Sequence, residues 1–225
     1  MPSRMRPLRA LLALPIVAAA YFVLPNILQH TDPPESAYTQ RASRETVTWR
    51  NCKPISVVLG KKNMDPDKNR LVRESLKAMT EATGLSFVIS GTTDEIPQTN
   101  WSIVGPKAPG AHYPPVYIGW LENEETDILS TRDTLGATVA NPITTNSHRQ
   151  LVSGAVVFNN SLYQSISASS ASGETRRNLV LHELGHLVGL AHVESLSIMH
   201  SNPATWPIGL TLRDLKNLGN LPTNC

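Results

Sequence analysis

His182-Glu183-Leu184-Gly185-His186-Leu187-Val188-Gly189-Leu190-Ala191-His192 places three imidazoles and one carboxylate at spacings that suit a metal ion with a general base beside it. On a helix, residues four apart share a face, so His182 and His186 can offer ring nitrogens to one zinc ion at about 2.0–2.1 Å. Glu183, one position on, is set to the side of that pair and can act on a water without ligating the ion. Zinc lowers the pKa of water to about 7, and a neighbouring carboxylate can take the proton as that water attacks a carbonyl. Gly189 should end the helix, because the position after a helix commonly needs the positive φ that glycine adopts without steric cost. The chain then turns and brings His192 back as a third nitrogen ligand, which six further residues of helix would not deliver on the same face. Three protein ligands leave the fourth tetrahedral position open, the arrangement of a catalytic rather than a structural zinc. A core helix that happens to contain histidines is the bland alternative; the third histidine and the glycine at these offsets weigh against it.

The surrounding residues supply the helix. Leu179, Val180, Leu184, Leu187 and Val188 form its apolar face, and Ser172, Gly173, Glu174 and Thr175 read as its capping region and acidic first turn. Seven residues beyond His192 stands Met199, within Ser197-Ile198-Met199-His200. Taken with the histidine stretch, this resembles the metzincin clan of zinc endopeptidases, whose motif is His-Glu-x-x-His-x-x-Gly-x-x-His followed by a methionine turn. Within the clan the chain looks most like a small bacterial matrixin-like protease.

That resemblance implies an α+β, zincin-like domain: a twisted mixed sheet of about five strands packed on the active-site helix, with a C-terminal helix. It implies one catalytic Zn2+ on His182, His186 and His192, Glu183 as general base, and Gly189 and Met199 supporting the site, with the methionine beneath the imidazoles. The segment Leu135–Ala140 would be the cleft strand that holds an extended peptide, although an ordinary exposed edge strand fits the same residues. The loop from Pro203 to Gly209, with Trp206 and Pro207, would wall the pocket for the side chain after the scissile bond. Two departures stand out: His200 where matrixins commonly have tyrosine, and Val193 where a small or acidic residue is frequent. His200 reads more simply as a surface or packing histidine than as a proton donor. The histidines and aspartates of a matrixin structural metal site are not recognisable in the dispersed His112, Asp127, Asp133 and His148, so a second metal is not expected. His112 and His148 read as solvent-facing loop residues, and Glu122-Asn123-Glu124-Glu125 as a charged loop rather than a calcium site.

The remaining segments divide the chain. Arg4, Arg6 and Arg9 precede an apolar run from Ala10 to Leu28, so residues 1–28 read as a signal anchor or a signal peptide, with the remainder outside the cytoplasmic membrane. Ala18-Ala19-Ala20 suits cleavage, whereas the length of the run, about 20 residues, suits spanning. Residues 29–45, with Asp32-Pro33-Pro34-Glu35-Ser36, are a linker or a short propeptide, and 46–225 is one catalytic domain. The chain has 20 Lys and Arg against 18 Asp and Glu, and without Arg4, Arg6 and Arg9 the balance is 17 against 18. No basic stripe remains for nucleic acid, and a monomer with a peptide or protein substrate is expected. The two cysteines, Cys52 and Cys225, read as one disulfide of an oxidising compartment, contributing about 2–4 kcal/mol. The rival is a zymogen role for Cys52 on the metal, but the family's propeptide pattern is absent around it.

Within 46–225, strands are expected at Pro54–Leu59, Leu85–Ile89, Val116–Leu121, Leu135–Ala140 and Gly154–Asn159, with a possible short strand at Trp101–Val104. Helices are expected at Pro66–Thr83, ending at Gly84, and at Thr211–Leu218 with Leu212, Leu215 and Leu218 as one apolar stripe. The function these features point to is a zinc-dependent endopeptidase acting on extracellular or cell-envelope proteins. The alternative is a membrane-tethered, catalytically weak or inactive zinc-binding or adhesion module.

Overall fold

A computed structural model of the chain describes residues 48–49, 53–145, 148–166, 170–194 and 196–219. The export segment 1–28, the linker 29–45, Cys52 and Cys225 lie outside the described residues, as do the side chains of Ser172 and His148. Among the described residues, no helix is long and apolar enough to cross a membrane.

The elements run β1 (Thr48–Trp49), β2 (Ile55–Gly60), α1 (Pro66–Thr83), β3 (Phe87–Thr93), α2 (Trp101–Val104), β4 (Val116–Leu121), β5 (Gly136–Thr145), β6 (His148–Asn159), α3 (Asn160–Ser165), α4 (Ser170–Leu187) and α5 (Leu212–Gly219). The expected class is the one observed: a mixed sheet packed on the histidine-bearing helix α4, with a C-terminal helix. Parallel pairs join β3 to β2, β2 to β4, β4 to β6 and β1 to β6. The only antiparallel pair among the described strands is β5 on β6, and it puts β5 at the sheet edge.

Alternation along the strands decides what each face meets. Ile118, Trp120, Val156 and Phe158 join the core under α1 and α4, whereas Tyr117, Leu121, Ala137, Val139, Ala155 and Val157 join a second cluster with Trp101, Ile128 and Leu129 on the opposite face. Strand β4 is therefore buried on both sides, which is why Val116–Leu121 reads as a continuous apolar run. In β5 the same alternation turns Gly136, Thr138 and Ala140 toward α4.

A buried polar link holds the helical layer together. Lys68 on α1 donates to the Asn63 carbonyl at 2.6 Å and to Asn160 Oδ1 at 2.9 Å, over the rings of Trp120 and Tyr163. Burial holds its pKa below the ordinary lysine value, against the opposing pull of Asp65. Asn160 in turn donates to Glu122, whose carboxyl is held low first by that bond and then by the one from Ser161. The segment Glu122–Glu125 is a charged 3-10 turn closed by its own capping box.

Several expectations are corrected. Trp101–Val104 is one helical turn, not a strand: Trp101 is anchored through its indole to the Pro115 carbonyl, Ile103 and Val104 are exposed, and none of the described strands pairs with them. β5 runs on to Thr145 and β6 starts at His148, paired antiparallel along Pro142–Thr145 and His148–Leu151, so His148 begins a strand rather than lying in a loop. Helix α4 starts at Ser170, so Ser172 to Thr175 lie inside its first turns rather than ahead of it. The leucine stripe of α5 is incomplete: Leu218 is buried, whereas Leu212 and Leu215 are exposed, because α5 touches the core through Leu218 and Asp214 only.

Candidate metal centre

Helix α4 carries His182 and His186 one turn apart, both buried, with Glu183 fully buried between them in sequence. Its C-terminus closes as a Schellman motif: Leu190 N–H donates to the Gly185 carbonyl at 2.9 Å and Gly189 N–H to the His186 carbonyl at 3.0 Å. Gly189 has φ 111°, the conformation that motif demands and that a side chain would oppose. The reversal does two things. It delivers His192, and it turns the Leu190 carbonyl back onto His186 Nδ1 at 2.9 Å.

Three ring nitrogens converge. The Nε2 atoms of His182 and His186 are 3.1 Å apart, those of His186 and His192 3.0 Å, and those of His192 and His182 3.1 Å. His182 Nδ1 faces the Ile198 carbonyl at 2.7 Å. Carbonyls only accept, so Nδ1 of His182 and of His186 must carry the proton, and the neutral rings aim Nε2 lone pairs at one another. One proton could bridge one edge of the triangle, whereas a single cation serves all three. Nitrogens at about 2.0–2.1 Å from a tetrahedral zinc would stand about 3.3 Å apart, close to the spacing found. The donor set therefore fits such an ion, and it is the one group of metal-ligating side chains that converges among the described residues.

The turn that carries Met199 packs against α4. Met199 is buried, and a Cβ built on Gly185 would overlap its Sδ. Glycine inside a helix normally costs about 1 kcal/mol relative to alanine, so Gly185→Ala on propensity alone would stabilise α4. The overlap reverses the sign, since overpacking a filled core costs about 1–3 kcal/mol. Gly185→Ala should lower the thermal midpoint and weaken metal binding; a raised midpoint with unchanged affinity would show that Met199 gives way freely.

Asp214, Asn178 and Thr138, none of them singled out in the sequence, join the expected Trp206 around the site. Asp214 on α5 is fully buried and accepts from Ile198 N–H at 3.2 Å, Thr211 N–H at 2.8 Å, Thr211 Oγ1 at 2.7 Å and Ser197 Oγ. With Asp214 N–H donating to Thr211 Oγ1, this is a capping box that also grips the methionine turn. Its Thr-x-x-Asp pattern was legible in the sequence; the grip on Ser197 and Ile198 was not. Asn178, one turn before His182, donates to the Pro207 carbonyl at 2.6 Å and accepts from Gly209 N–H at 3.1 Å. It pins the Pro203–Gly209 loop against α4. Trp206 in that loop lies 5.0 Å from the His182 ring, centroid to centroid, and donates to the His200 carbonyl at 2.7 Å. His200 is half-buried, its Nδ1 accepting from Asn202 N–H at 2.9 Å. Thr138 on β5 reaches Glu183 Oε2 at 2.8 Å. His112 is exposed, away from this convergence.

No family model matches the sequence, and no curated protein matches it. Among solved structures, the fold is similar to archaemetzincin from Methanopyrus kandleri, at 14% identity over 79% of this chain and 96% of that one, with a TM-score of 0.46. It is also similar to archaemetzincin from Archaeoglobus fulgidus complexed with malonate, at 12% identity over 72% of this chain and 99% of that one, with a TM-score of 0.37.

Proposed function

We propose that this chain is a zinc-dependent endopeptidase. The observation that carries the reading is the convergence of three imidazole nitrogens, two of them held by carbonyls in the tautomer that ligates, with a buried carboxylate on the adjoining residue. His182, His186 and His192 would hold the ion. When bound, zinc supplies Lewis-acid polarisation and makes water acidic enough to lose a proton near neutral pH.

The protein's own groups do the rest. Glu183 takes the proton from the attacking water and passes it to the amine that leaves. The edge strand β5 offers backbone donors and acceptors to an extended polypeptide, a way of holding substrate that depends little on its sequence. Trp206 and the loop pinned by Asn178 border the site beside His182 and discriminate among substrate side chains. The domain is exported by residues 1–28, acts as a monomer on extracellular or cell-envelope proteins, and is fastened by a Cys52–Cys225 disulfide or held latent through Cys52.

Metal removal tests the reading. The purified domain should carry about one zinc per chain and cleave members of a mixed peptide library; chelation should abolish cleavage and lower the thermal midpoint, with both restored by zinc. Zinc at 100 times its Kd would account for about 2.7 kcal/mol of that stability. Bound zinc without chelator-sensitive cleavage would instead identify a binding or adhesion module, and absence of bound zinc would sink both.

A further inference from the structure

We propose that Thr138 is a positioning residue for Glu183, fixing the carboxylate from the sheet edge; the proposal deepens the peptidase reading and rests on it. Thr138 is buried in β5, opposite Val156 in the antiparallel register, on the face turned to α4. Its Oγ1 lies 2.8 Å from Glu183 Oε2 and 2.9 Å from the Glu183 backbone carbonyl. A hydroxyl has one proton to give, and the ionised carboxylate is the stronger acceptor. The Glu183 carbonyl then shares that proton only as the weaker acceptor, and the hydroxyl holds the carboxylate from the strand.

A second residue shapes the same cradle. A Cβ built on Gly136 would stand 3.0 Å from Glu183 Oε1, 3.1 Å from its Cγ and 3.2 Å from its Cδ. The missing side chain at Gly136 therefore lets the carboxylate lie along the inner face of β5, with Thr138 two residues on holding one oxygen. Because β5 is the edge strand, the element that would receive substrate backbone is the element that orients the base. A free glutamate on a helix samples several rotamers; here the strand selects one before substrate arrives, which lowers the reorganisation required at the reacting centre.

The test combines kinetics with unfolding of the metal-free protein. In the zinc-loaded enzyme, Thr138→Val should lower kcat roughly 10–100-fold with KM little changed, and Thr138→Ser should recover most of the loss. Gly136→Ala, which asks the carboxylate to move by only a few tenths of an ångström, should lower kcat while the domain stays folded. In chelated protein, the denaturant midpoint should shift with Thr138→Val, and the shift should shrink when Glu183 is already alanine, since the two residues share one interaction. Additive shifts, an unchanged kcat in Thr138→Val, or a serine variant as impaired as the valine one would each overturn the proposal. If the zinc-loaded parent protein cleaves nothing, the peptidase reading fails and the catalytic role of Thr138 falls with it; additive shifts in an active enzyme sink this proposal alone.

Discussion

Glu183→Gln should leave the domain folded and loaded with about one zinc per chain while lowering kcat by about 10²–10⁴. The substitution is nearly isosteric, which matters because Glu183 has no exposed surface and a larger change would disturb the core under β5. The amide oxygen can still accept from Thr138, so the cradle persists; what disappears is the capacity to accept a proton and return it. Zinc content should hold because the converging ligand atoms are three imidazole nitrogens and not the carboxylate. Metal analysis beside kcat on a chelator-sensitive peptide checks both halves. Activity within a few-fold of the parent protein would remove Glu183 from the mechanism, and loss of zinc would recast it as a ligand.

Asp214→Ala should be the most damaging substitution outside the metal ligands, destabilising the domain by about 3–5 kcal/mol. Removing the carboxylate strands the buried Ile198 N–H and the Ser197 hydroxyl, as well as the Thr211 donors at the start of α5. Each orphaned donor costs about 1–3 kcal/mol, more where the lost acceptor was charged. For a domain of this size that corresponds to a thermal midpoint lower by roughly 10–15 °C. The damage should also reach the metal. Ile198 donates its N–H to Asp214 and accepts from His182 Nδ1 through its carbonyl, so loosening the turn frees the imidazole it orients. Loss of such outer support commonly weakens metal affinity about 10–100-fold. Asp214→Asn, which keeps the volume and one acceptor, should fall between. Thermal melts with and without chelator, alongside zinc titrations, separate the two effects; an alanine variant with a parental midpoint would show that α5 does not brace the turn.

The sheet was readable where burial imposes a pattern and misread where it does not. Val116–Leu121, apolar throughout because both faces are covered, could only be a buried strand of this length. The far half of the β5–β6 pairing has no such imprint: Pro142 and Ile143 are half-buried, Thr144 is exposed and the composition is that of a turn, so its pairing depends on the partner strand. Trp101–Val104 shows the converse failure. Three β-branched or aromatic residues in four suggest a strand, yet no described strand pairs with them, and the backbone satisfies itself in a helical turn. On α5, periodicity assigned three leucines to one stripe, but the helix buries only Leu218 of them, one turn beyond the buried Asp214.

His182 through His192 carried the convergence of three imidazoles in its spacing, because the relation of residues four apart on a helix and the backbone freedom of Gly189 are local properties that no distant partner needs to supply. What surrounds those imidazoles is another matter. Thr138 meets Glu183 across 45 residues, Ile198 meets His182 across 16, and Asn178 meets Pro207 across 29. None of these pairs leaves a periodic or motif signal, since each is one hydrogen bond made possible by how β5, the methionine turn and the Pro203–Gly209 loop pack on α4. The sequence alone thus determined which atoms can meet a metal, whereas tertiary packing decided how the Glu183 carboxylate is held, how the turn is braced and which loop borders the three imidazoles.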